Sequence, residues 1–149
     1  MKQHEIRIIS EGMMRAFGKH LAHYVKGGDC LELVGDVGAG KTTFVKGLGE
    51  GLGITEDIQS PSFTISRVYQ APSGLELHHY DFYRLPDAGV LEYEFAESLA
   101  NPRAITVVEW ADVVHDILPT SHIRLKIVAT GETNRRVGLS GMENFEMNL

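Results

Sequence analysis

Cys30-Leu31-Glu32-Leu33-Val34-Gly35-Asp36-Val37-Gly38-Ala39-Gly40-Lys41-Thr42-Thr43 is the stretch that decides how this chain folds. Its opening run, Cys30 to Val34, is apolar in the manner of a buried strand, and Thr43 to Leu52 reads as a helix. Between them, Gly35 to Thr42 fits the G-x-x-x-x-G-K-S/T pattern of a phosphate-binding loop. Glycines let such a loop turn backbone N–H groups inward, and the following helix adds partial positive charge behind them. Lys41 is then placed to reach the β/γ-phosphates of a nucleotide, and the Thr42 hydroxyl to ligate Mg²⁺. The expected architecture is α/β: one P-loop NTPase domain with a mixed, mostly parallel sheet, flanking helices and an antiparallel portion.

Outward from that stretch the pattern stays interpretable. Upstream, Ile6 to Ile9 reads as a short strand. Ser10 is an N-cap candidate for a helix running to about Tyr24 or Val25, closed by Gly27-Gly28. Met13, Met14, Phe17, Leu21 and Tyr24 recur at helical spacing and read as core. Downstream, Phe63 to Tyr69 and Leu75 to Tyr80 flank the turn Ala71-Pro72-Ser73-Gly74 and predict an antiparallel hairpin. A helix is expected from Pro86 to about Leu99, with the proline near its start. Ala104 to Val108 is a second buried strand, while Ile123 to Val128 and Arg136 to Leu139 alternate and should pair at the sheet's far side. The tail after Gly141 carries little pattern and is expected to be mobile.

Bulk composition narrows the class. The chain of 149 residues is the size of one domain, spanning 1–149. Fourteen Lys+Arg against twenty Asp+Glu leave a net charge of −6, with Arg135-Arg136 the one adjacent basic pair. Tight, direct binding of nucleic acid normally needs a basic surplus or stripe, so any such role should run through partners. No run approaches the roughly eighteen apolar residues of a membrane span, and the N-terminus lacks a signal-peptide core. The single cysteine, Cys30, excludes an internal disulfide and reads as a small core residue in a reducing cytoplasm.

A phosphate loop needs acidic help, because Mg²⁺ on the phosphates wants a carboxylate or a carboxylate-held water. Two strand ends offer one: Asp81 after Leu77-His78-His79-Tyr80, and Glu109 after the Ala104-to-Val108 run, followed by Trp110. Ligands of open α/β sheets collect beyond the carboxyl ends of the strands, where both acids would lie. Either acid also has a plainer reading, as a turn cap or a solvated strand end. Ser60-Pro61-Ser62-Phe63-Thr64 occupies the place of a switch loop, whose hydroxyls can sense a γ-phosphate, or equally of a polar turn entering a strand. His78 and His79 are adjacent on a strand, point to opposite faces and read as structural.

In order and separation, the phosphate loop through Thr43, Ser60 to Thr64, Tyr80-Asp81-Phe82-Tyr83-Arg84-Leu85 and Val108-Glu109-Trp110 closely resemble the bacterial TsaE family. The similarity runs from about residue 5 to residue 140; the loop alone is shared by a large superfamily, the ordered set of four is specific. The resemblance implies a compact domain that binds Mg-ATP, hydrolyses it slowly and supports threonylcarbamoyladenosine modification of tRNA. It also implies two paralogous partner subunits that form the threonylcarbamoyl-transferase complex, on which this chain would act without transferring the group itself. Lys41 becomes the phosphate lysine, Thr42 a Mg²⁺ ligand, Asp81 the Walker-B acid and Glu109 a metal- or water-orienting acid. Gly35, Gly38, Ala39, Gly40, Thr43 and Trp110 would line the nucleotide, with Ser60, Ser62 and Thr64 as the switch hydroxyls. Ser10 and Glu11 are implied near the nucleotide, and a late basic residue, Arg135 or Arg136, beside it. Two positions depart from the family pattern: Ser62-Phe63 stands where Thr-Tyr is common, and Ala111 stands where proline is common after the tryptophan.

Two other classes remain as alternatives. A P-loop small-molecule kinase shares Gly40, Lys41, Thr42 and an acid, but usually adds an arginine-bearing lid, whereas Arg67, Arg84 and Arg103 are isolated. A GTP switch would carry an Asn-Lys-x-Asp element, and no Asn in the chain begins one.

Overall fold

The computed structural model describes residues 3–36, 38–61, 64–83 and 85–147. The chain runs β1 (Gln3–Ile8), α1 (Glu11–Leu21), β2 (Cys30–Val34), α2 (Lys41–Gly51), β3 (Ser66–Gln70), β4 (Glu76–Asp81), α3 (Leu91–Ala100), β5 (Ala104–Glu109), a 3-10 segment (Ala111–Ile117), β6 (Ile123–Ala129) and β7 (Arg135–Ser140). All seven strands form one sheet in the order β1-β7-β6-β2-β5-β4-β3. Its centre, β6-β2-β5-β4, is parallel, and both edges are antiparallel. The α/β single-domain expectation therefore holds, as do the Ala71–Gly74 hairpin turn and the β6–β7 pairing.

Each strand's pattern follows from what covers it. β5 is buried along its whole length, because α1 and α2 lie over one face and α3 with the 3-10 segment over the other. β6 alternates buried and exposed residues through its first five positions, the pattern of a strand covered on one face. The larger core joins Phe17, Leu21, Leu31, Leu33, Phe44 and Leu48 across the α1/α2 face. The smaller one gathers Cys30, Tyr80, Phe82, Phe95 and Val108 on the α3 face. Each fully buried side chain of this size contributes about 1.5–3 kcal/mol.

Bare backbone sets how closely α1 and α2 pack. A Cβ added at Gly47 would sit 2.0 Å from the Arg15 carbonyl oxygen, and one at Gly18 2.3 Å from that of Phe44. A Cβ at Gly51 would meet the Lys19 carbonyl at 2.6 Å. The contacts advance together along both helices, so the two start at the same end of the sheet.

β1 spans Gln3–Ile8 where Ile6 to Ile9 was expected, and β3 begins at Ser66, the expected start Phe63 lying outside the described residues. Four further differences from the sequence readings each have a local reason. α1 ends at Leu21, not near Tyr24, because His23 N–H and Tyr24 N–H bond three residues back and tighten the last turn. α2 begins at Lys41, since the Phe44 N–H already bonds Gly40 O at 3.0 Å. The third helix begins at Leu91, not Pro86, because Gly89 adopts a φ of +55°, which a right-handed helix excludes. The tail after Gly141, expected to be mobile, packs instead: Phe145 is buried against Phe17 and Tyr24, and Met142 O accepts a bond from the His4 ring.

Cys30 behaves as a core residue. Burial, reinforced by Glu32 and Asp29, pushes its thiol up from 9.0 to about 12. The unfolded chain thus sheds this proton first, so stability is full below about pH 9 and is lost as pH rises towards 12. In urea unfolding between about pH 9 and 11, Cys30→Ala should show a shallower alkaline fall than the parent. The helix contact gives a second prediction. Gly→Ala inside a helix normally gains about 1 kcal/mol, but overpacking against backbone costs typically 1–3 kcal/mol or more. At 2.0 Å the clash should win. Gly47→Ala should lower the urea midpoint by the equivalent of about 2 kcal/mol. Gly12→Ala, facing only Ser10 Oγ at 3.9 Å, should be neutral or stabilising.

Candidate functional site

The turn from β2 into α2 builds the site. Gly38 and Gly40 adopt φ values of +84° and +110°, the left-handed region that glycine enters without penalty. Gly40 caps α2 with no side-chain hydrogen bond, and the helix's first turn carries no acid. Its first amides and its dipole therefore lie open to an anionic ligand. Lys41, only 7% exposed, folds back under the loop and donates to Gly35 O at 2.7 Å. Its Nζ lies 3.6 Å from Glu109 Oε1 and 4.6 Å from the centre of the Trp110 ring.

The two candidate acids meet at the carboxyl ends of neighbouring parallel strands. Asp81 is paired in register with Glu109, and both are buried. Strand alternation puts both carboxylates on the α2 face, together with His79. Asp81 Oδ1 also accepts the Tyr83 N–H at 3.0 Å, so it caps the following turn as well. Glu109 Oε2 accepts from His79 Nε2 at 2.6 Å. Trp110 turns the chain out of β5 with a φ of +56°, and its ring packs against Tyr83 at 4.7 Å between centroids.

Two cavities flank the loop. One of about 300 Å³ is lined by Ser10, Glu11, Gly38, Gly40, Thr43 and Arg135 among others. The other, about 470 Å³, lies beyond Gly35 and Asp36 and reaches Trp110 and Lys126. Ser10 caps α1 by accepting the Met13 N–H, so the capping bond itself holds it at the cavity edge. Arg135 Nε donates to Ala39 O at 2.9 Å, its Nη1 bonds the carbonyls of Gly131 and Asn134, and its Nη2 that of Gly38. It thereby ties the β6–β7 turn to the phosphate loop. Arg136 lies apart, 3.8 Å from Glu5 across the β1–β7 edge.

Of the predicted switch hydroxyls, Ser60 and Thr64 are exposed, and Ser62 lies outside the described residues. The segment is tied to the acids by backbone, since Asp81 N–H donates to Ile65 O at 2.8 Å. His78 points to the α3 face, where it bonds Ser98 and Glu76, as its structural reading requires. His79, also read as structural, lies two residues before Asp81 and therefore on the acids' face, where its ring bonds Glu109. Among the described residues no three His, Cys, Asp or Glu side chains cluster as a self-sufficient metal site. A Mg²⁺ ion held partly by phosphates and water needs no such cluster, and Thr42, Asp81 and Glu109 can supply its protein side.

The comparisons with known proteins agree with one another. The family described as "Threonylcarbamoyl adenosine biosynthesis protein TsaE" matches residues 8–137. The tRNA threonylcarbamoyladenosine biosynthesis protein TsaE of Bacillus subtilis is 38% identical over 99% of this chain and 92% of its own length. Its counterpart from Haemophilus influenzae is 33% identical, covering 95% of this chain and 92% of its own. The crystal structure of Bacillus subtilis YdiB matches the fold with a TM-score of 0.75 at 36% identity, over 93% of this chain and 84% of that one.

Proposed function

The chain belongs to the TsaE family of threonylcarbamoyl adenosine biosynthesis proteins, and from that premise we propose that it binds and hydrolyses Mg-ATP in support of threonylcarbamoyladenosine modification of tRNA. The observation that carries the proposal is Lys41 held beneath the open phosphate loop, between Gly35 O and Glu109. A lysine used only for structure would not be buried against its own loop with amides left uncapped around it.

In this reading the phosphate loop and Lys41 bind the nucleotide's phosphates, while Ser10, Glu11, Thr43 and Arg135 border its other end. Thr42 with Asp81 or Glu109 holds Mg²⁺, which would supply charge neutralisation on the β/γ oxygens. Glu109 or Asp81 orients the attacking water. Phosphoryl transfer asks the protein for positioning and electrostatics more than covalent chemistry, and these groups are of that kind. Arg135 spends its donors on backbone carbonyls, which leaves it a loop anchor and not an arginine finger. Slow turnover alone, raised by the two-subunit threonylcarbamoyl-transferase complex, is the expected behaviour. With a charge of −6 the chain would reach tRNA through those partners, in the cytoplasm. No helix among the described residues is long and apolar enough to cross a membrane.

Lys41→Ala should lower ATP turnover by at least about a hundredfold, near 2.7 kcal/mol in barrier height. In cells whose only copy carries this change, mass spectrometry of tRNA should show loss of threonylcarbamoyladenosine. Normal modification by a folded variant unable to bind ATP would overturn the functional reading. Phosphate released to water, with no phosphorylated acceptor formed, separates this reading from a kinase.

A further inference from the structure

His79 is a buried polar group, bonded to a candidate acid, to which the proposed chemistry gives no task. It lies on β4 with no exposed surface, and on its face of β4 and β5 the neighbouring positions Leu77, Ile105 and Val107 are fully buried apolar side chains. A strand position so enclosed suits leucine or valine, and a polar ring there costs stability unless it is bonded. Among the described residues the ring makes one hydrogen bond, from Nε2–H to Glu109 Oε2 at 2.6 Å, while the buried Nδ1 meets no partner. Whatever the ring offers, it offers to Glu109.

Glu109 is held at both oxygens by different groups. Oε2 is fixed by His79, and Oε1 faces Lys41 Nζ at 3.6 Å. A free carboxylate and ammonium in a dry site would close to a charge-assisted bond of about 2.7–2.9 Å. Here the lysine gives its short bond to Gly35 O, and the carboxylate's short bond goes to His79.

We propose that His79 is a positioning residue for Glu109: by anchoring Oε2 it aims Oε1 at the phosphate loop and prevents the carboxylate from collapsing onto Lys41. The proposal rests on the reading of Glu109 as a group that acts on Mg²⁺ or water.

The test compares His79→Leu, which fills the site without a donor, with His79→Gln, whose amide reaches the Nε2 position. Thermal unfolding first establishes that each variant is folded. His79→Leu should lower kcat by about tenfold or more and raise the Mg²⁺ concentration for half-maximal turnover, with KM for ATP within about twofold. His79→Gln should recover most of both losses. A crystal structure supplies a readout independent of activity: Lys41 and Glu109 should close to about 2.8 Å in His79→Leu and stay apart in His79→Gln. If His79→Leu does not fold, His79→Asn replaces it, since its amide stops at the Nδ1 position and leaves Oε2 unheld. A folded His79→Leu or His79→Asn variant with parental kcat and Mg²⁺ requirement, or one in which Glu109 has not moved, overturns the proposal. A parent protein without Mg²⁺-dependent hydrolysis instead overturns the functional reading, and the crystallographic comparison still decides whether His79 positions Glu109.

Discussion

The close crossing of α1 and α2 is the constraint on which the rest of the molecule depends. Gly18, Gly47 and Gly51 let the two backbones approach to a distance that any side chain would forbid. Ridges-into-grooves packing ordinarily keeps helices about 8–10 Å apart, and bare glycine contacts draw them to the low end of that range or below it. Because the helices run side by side from the same end, the start of α1 is delivered to the start of α2. Ser10 and Glu11 therefore share a cavity with Gly38, Gly40 and Thr43, although about thirty residues of chain separate them. Phe145 then seals the far flank of α1, which is why the tail packs.

Against that scaffold stands a buried charge group. Lys41, Asp81 and Glu109 are each less than a tenth exposed, and His79 is not exposed at all. Buried ion pairs seldom repay their desolvation, and apolar replacements of similar volume are often neutral or stabilising. Their arrangement suits a ligand that carries charge of its own, which is the reading proposed above. Polyphosphate bound as proposed would bring negative charge to the lysine and the loop amides, and a divalent cation would bring positive charge to two carboxylates on adjacent strands. Under the proposed reading, each half of Mg-ATP completes one half of the site.

How much of this was legible in the sequence depends on how local the cause was. β2 was read to the residue, because a short apolar run bounded by a glycine loop has one interpretation in a parallel sheet. The β3–β4 hairpin followed from Pro72 and Gly74, whose turn preferences act within four residues. Asp81 and Glu109 could be found because strand ends collect function, but their pairing in register depends on β4 and β5 being neighbours, which no local pattern states. The glycines were the least legible. Gly47 and Gly12 look alike in sequence, and only the facing helix distinguishes a contact from open surface. His79 was read as structural, since a histidine in an apolar strand is usually a satisfied core residue, and what the sequence could not state is that its bond goes to the candidate catalytic acid.

Backbone strain points to the same place. Among the described residues, two non-glycine positions adopt positive φ, Ile65 at 69° and Trp110 at 56°. Left-handed backbone in a non-glycine residue costs roughly 1–3 kcal/mol, and for a β-branched or bulky side chain it is a true outlier. Neither lies at a random turn. Ile65 follows the Ser60-to-Thr64 segment and receives the Asp81 N–H on its carbonyl. Trp110 follows Glu109 directly, and its left-handed turn brings the indole back over Lys41. A glycine would relieve the strain at either position, yet glycine at 110 would remove the ring that covers the lysine. Each strained residue thus abuts one of the two acids. Strain that persists beside buried charge, where the surrounding contacts hold it in place, is what a preorganised site requires.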